Sequence, residues 1–77
     1  MDNEVAELDR LQAAYKVAVD AWVMAIRAEE ALASGDHTLA EVDKWEAAYR
    51  VAEEAGHKAQ AAKAAYEEGI RSKFFGL

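Results

Sequence analysis

The sequence predicts an all-α fold, an antiparallel two-helix hairpin, and three observations carry that prediction. The stretch E-L-D-R-L-Q-A-A-Y-K-V-A from Glu7 returns as E-V-D-K-W-E-A-A-Y-R-V-A from Glu41, so twelve consecutive positions are identical or similar at an offset of 34 residues. Proline is absent, and alanine, glutamate, lysine and arginine dominate, the composition of long helices. One cluster of turn residues, Ser34-Gly35-Asp36-His37, separates the two copies. A repeat of this kind organises everything else in a chain. The matches at Glu7/Glu41, Asp9/Asp43, Tyr15/Tyr49 and Val17/Val51 include solvent-type as well as core-type positions. A shared apolar period alone would not align those.

The elements follow in order. Helix one spans about 3–33, with Asp2 or Asn3 able to accept a bond from a first-turn amide. The turn occupies 34–38, with Gly35 suited to the left-handed residue that ends a helix. Helix two spans about 39–72 and opens on Thr38-Leu39-Ala40-Glu41, the capping-box pattern in which threonine and glutamate satisfy each other's amides. Glu46/Arg50, Glu54/Lys58 and Glu67/Arg71 add helix-stabilising pairs with the acid first. So short a connection makes the helices antiparallel. An apolar tail, 73–77, follows. The whole chain, 77 residues, makes one small domain whose core is marginal by size.

The expected seam carries Leu8, Leu11, Tyr15, Ala18, Trp22 and Ala25 on helix one, and Val42, Trp45, Tyr49, Ala52, Gly56 and Ala59 on helix two. With the turn centred near Asp36, Tyr15 is expected beside Gly56, Trp22 beside Tyr49 and Ala52, Trp45 beside Ala25 and Ile26, and Leu8 beside Tyr66. Large residues then face small ones, as close packing requires. A second stripe, Ala14, Val17, Ala21, Met24, Ala28 and Ala31 with Ala48, Val51, Ala55, Ala62 and Ala65, widens the apolar surface beyond what one neighbouring helix covers.

The copies part company in one stretch. Val19, Val23, Met24 and Ile26 stand where the second copy has Glu53, His57, Lys58 and Gln60. Exposed apolar side chains gathered in a patch mark interfaces. Val17, Val19, Trp22, Val23, Met24 and Ile26 are therefore the expected association surface, and a homodimer forming a four-helix bundle is its simplest use.

The formal charge of −6 excludes direct nucleic-acid binding through phosphates and suits a basic partner. Glu46, Glu53, Glu54, Glu67 and Glu68 form a candidate acidic surface, which makes a nucleic-acid mimic the alternative function. Cysteine is absent, so no disulfide or thiolate site exists. The acidic start, Met1-Asp2-Asn3-Glu4, is not expected to be a signal peptide, and no stretch reads as a membrane span; a cytoplasmic location is expected.

Chemical motifs are sparse. Glu54-x-x-His57 has the spacing of di-iron bundles, which is the basis of a less favoured metal-binding reading, but the facing helix offers only Asp20. Ser34 and Ser72 lack a base and an orienting acid. The expectation is no catalytic, cofactor or metal site, and no enzyme. Phe74, Phe75 and Leu77 form a possible docking tail, although folding back of both phenylalanines onto Val5 and Leu8 is the favoured expectation. Glu68 to Phe75 resembles the sliding-clamp-binding box of replication proteins, yet Glu68 and Arg71 replace two of its four defining residues. Tyr49-x-x-x-Glu53 resembles the export signal of small secreted Trp-x-Gly helical hairpins. Here it lies within a helix, and the turn reads Ser34-Gly35-Asp36 instead. Neither resemblance sets the function. The leading reading is a small acidic protein–protein interaction module, of the inhibitor, adaptor or assembly-factor kind found in bacteria and phages.

Overall fold

The computed structural model describes residues 3–33 and 38–75, and it is an all-α hairpin. Helix α1 runs Asn3–Leu32 and helix α2 runs Leu39–Phe75. The two pack against each other along their length. The body measures 58 × 19 × 12 Å, a slab one helix thick. Its long axis is that of α2, whose 37 residues rise about 55 Å at 1.5 Å each.

The ends of the helices have local causes. The Glu41 amide donates to Thr38 Oγ1 at 3.2 Å, and the Val42 amide donates to the Thr38 carbonyl at 3.1 Å, so Thr38 caps α2 as its residue type favours. The Glu41 carboxylate is turned to Lys44 at 3.4 Å. Helix α1 closes on a tighter turn, the Ala33 amide reaching the Glu30 carbonyl at 3.0 Å. Residues 34–37, including the expected Gly35 terminator, lie outside the described residues, as do Asp2, Gly76 and Leu77.

Helix α2 continues through Phe75, past the expected end at 72. The expected fold-back of the tail is corrected accordingly. Phe74 sits in the last turn of the helix and is 69% exposed, and the Phe75 side chain lies outside the described residues. No helix breaker stands between Gly69 and Gly76. Gly69 itself lies against Leu8 and Leu11, a contact that holds this stretch helical.

The register differs from expectation by one to two helical turns. Trp22 packs on Gly56, Leu8 and Leu11 on Gly69, and Gln12 Nε2 donates to the Tyr66 hydroxyl at 3.2 Å. The midpoints of these pairs fall near residue 39. Tyr15 therefore does not face Gly56, nor does Trp22 face Tyr49. The physical reason is shape. A slip of seven residues returns nearly the same helix face, so apolar pattern cannot choose between the two registers, whereas volume can. The observed one gives the largest side chain on α1 a glycine as its hole and seats two leucines over another glycine. A Cβ on Gly56 would stand 2.9 Å from Trp22 Cε2 and Nε1.

This register also explains the repeat. Trp22 and Gly56 are equivalent residues of the two copies, 34 apart. Where equivalent residues meet, an internal two-fold axis passes between them. On such an axis two tryptophans would collide and two glycines would leave a void. The copies differ where they touch. Ala52 (4% exposed), Gly56 and Ala59 (2%) form the buried heart of the seam.

No large side chain among the described residues is fully buried. The seam is a close approach of backbones over small residues, with little apolar volume inside it. The two glycines should answer differently to substitution. A Cβ on Gly69 meets only the mobile ends of Leu11 (Cδ1, 2.8 Å) and Leu8 (Cδ2, 3.1 Å). Leucine tips can rotate away, while alanine gains about 1 kcal/mol of helix propensity over glycine. Gly69→Ala should leave the melting temperature unchanged or raise it, and a drop of several degrees in thermal denaturation would refute the contact as described.

Candidate functional site

The surface is built from the two flanks of the seam. Stepping by sevens along each helix keeps to one flank. One shallow groove is lined by Ala6, Glu7, Leu8, Arg10 and Leu11 of α1 with Ala65, Glu68, Gly69, Ser72 and Lys73 of α2. Its flank continues through Val17 and Met24 on α1 and through Val51 on α2. This is the back face. The opposite flank carries Val19, Val23 and Ile26 on α1, in line with Gln12. On α2 it carries Val42 and Tyr49, beside Trp45. A second groove there is lined by Glu29, Val42, Trp45, Glu46, Tyr49 and Arg50, and the Trp45 indole N–H donates to Glu29 Oε2 at 3.4 Å. This is the front face.

The two faces are unequal. Val17, Met24 and Val51 are 62–71% exposed on the back, among alanines and ion pairs such as Lys58–Glu54 at 3.4 Å and Arg10–Glu7. The front, near the turn, exposes Val23, Ile26, Val42 and Trp45 at about 40% each, Tyr49 at 54% and Leu39 at 78%. Register is the cause. Helix α1 ends at Leu32, and the Trp45 indole reaches Glu29 in its last turn. Val42 and Trp45 are seam residues at the thinly covered end of their partner helix.

The expected association surface is thus divided by the structure. Val19, Val23 and Ile26 share the front with one another. Val17 and Met24 lie on the back, because adjacent residues such as Val23 and Met24 point about 100° apart on a helix. Trp22 is half-buried in the seam on Gly56. The copy comparison pointed to α1 alone and missed Val42, Trp45 and Tyr49. Their repeat mates, Leu8, Leu11 and Tyr15, are covered more fully, and that contrast becomes visible only once the register is known.

The acidic residues do not form one strip. Glu54 is paired with Lys58, and Glu68 with Arg71 at 3.6 Å, so Arg71 takes Glu68 instead of Glu67. Glu46, Glu53 and Glu67 remain as a row along the front edge of α2, without an ion pair among the described residues. His57 is exposed on the outer side of α2. Among the described residues no group of three or more potential ligands is placed to hold a metal ion, and no helix is long and apolar enough to cross a membrane. Comparison with protein-family models, with curated proteins and with solved structures finds no match to this chain.

Proposed function

We propose that this chain is a non-catalytic protein–protein interaction module, an inhibitor, adaptor or assembly factor, that works through the front face near its turn. One observation carries the reading: six large apolar side chains, Val23, Ile26, Leu39, Val42, Trp45 and Tyr49, are exposed together on one side of a rigid pair of helices. Patches of this kind mark association surfaces, and aromatic residues such as Trp45 and Tyr49 are enriched where binding energy concentrates. Placing the site on helices gives it a fixed shape, which lowers the ordering cost of binding.

Affinity capture from the native host, with wild-type and variant baits, tests the proposal. Tyr49→Glu should lose a protein that both wild type and the back-face variant Met24→Glu recover. Truncating one well-buried apolar contact of about 1.5–3 kcal/mol corresponds to a loss of roughly tenfold to a hundredfold in affinity. Recovery that survives Tyr49→Glu but disappears in high salt would instead assign binding to the row Glu46, Glu53 and Glu67, as a nucleic-acid mimic requires.

A further inference from the structure

We infer that the occupant of the front face is a second copy of this chain, joined face to face about a two-fold axis into a four-helix bundle. The inference rests on the interaction-module reading and names the partner at that same site. Surface area is its first support. A compact monomer of 8.5 kDa exposes about 4,700 Å² by the general scaling of area with mass. This hairpin exposes 5893 Å². The excess, about 1,200 Å², is larger than the roughly 800 Å² that each partner buries in a standard interface.

Shape is the second support. The slab is 12 Å through its thinnest dimension, the thickness of one helix with its side chains, and stacking a second slab on it gives the square section of a bundle. The third is the distribution of exposed apolar residues. Val5, Val23, Ile26, Leu39, Val42, Trp45, Tyr49 and Phe74 fall on the front, against Val17, Met24 and Val51 on the back. The middle of the front therefore meets its own copy as apolar surface on apolar surface, with the row Glu46, Glu53 and Glu67 at its edge, and a two-fold axis needs such a self-complementary patch. Leu39, Val42 and Trp45 on the first turns of α2, which stay 42–78% exposed, gain cover in the partner.

This arrangement differs from α1 packing on its symmetry mate alone. Helix α2 contributes Val42, Trp45 and Tyr49, and Met24 stays outside the contact. The test is the mass of the full chain in sedimentation or light scattering, over a dilution series of about two orders of magnitude. Wild type should show twice the 8.5 kDa of one chain, falling toward the single mass on dilution. Val23→Glu and Tyr49→Glu should be monomeric, with helical circular dichroism retained, and Met24→Glu should remain dimeric. A dimer that survives both front-face variants overturns the proposal, because another face then makes it. Wild type at 8.5 kDa throughout overturns it as well, whatever the variants do to folding. If that monomer still captures a host protein in a Tyr49-dependent way, the module reading stands without the second copy. If it captures none, both fall.

Discussion

Gly56→Leu should destabilise the hairpin by at least about 2 kcal/mol, about half of what a core this small supplies. The position is mid-helix, so leucine gains up to about 1 kcal/mol of helix propensity over glycine there. Sterics overrule that gain. The first carbon alone would stand 2.9 Å from two atoms of the Trp22 indole, and 3.2 Å from a third. Unlike a leucine tip, an indole has no flexible end to fold away, so it must leave the seam and lose its burial. The decisive measurement is a double-mutant cycle in urea. Trp22→Ala alone should also destabilise, by opening a void. Combined with Gly56→Leu it should recover stability, because the new side chain fills that void. Additive losses from the two changes would show that the residues do not meet.

Ala59→Glu should be the most damaging single charge in the molecule. Ala59 is 2% exposed in the middle of the seam, where the backbones approach over small residues. A carboxylate there has neither room nor a partner. An unpaired buried charge costs several kcal/mol, which exceeds the stability of a small hairpin, so the purified protein should lose its cooperative thermal transition. Ala61→Glu, two residues on and exposed, should change stability by no more than about 0.5 kcal/mol. Equal effects at the two sites would contradict the assignment of the seam.

The fold class was legible because local and global signals agree along the chain. Thr38 reads as a cap and is one, and the seam alanines Ala18, Ala25, Ala52 and Ala59 read as inner faces and are, while the second stripe of α1, from Ala14 to Ala31, is exposed. Register was not legible from pattern. Moving α2 by a heptad keeps Ala52 and Ala59 inward in either case, and only the volume of Trp22 against Gly56 breaks the tie. The site inherited that ambiguity. With the turn centred near Asp36, Trp45 is expected to face Ala25 and Ile26 within the seam; it instead reaches Glu29 in the last turn of α1 and stays 43% exposed. The halves of the expected patch were separable in principle, since Val19, Val23 and Ile26 follow a helical row that Val17 and Met24 do not. The tail was misjudged for a different reason. Two phenylalanines after a glycine suggest a chain leaving its helix, yet Gly69 is pinned by two leucines, and the helix runs on beneath Phe74.

The meeting of Trp22 with Gly56 on the internal axis also governs which helices can recognise each other. Setting α1 against another α1 in this geometry would stack tryptophan on tryptophan. Setting α2 against another α2 would leave a gap between glycines. Only the mixed pair fits, so discrimination comes from misfit in both like pairings as much as from fit in the unlike one. The molecule is in effect a heterodimer of sister helices joined end to end. Its connection ties together two partners that the contact between them has already selected.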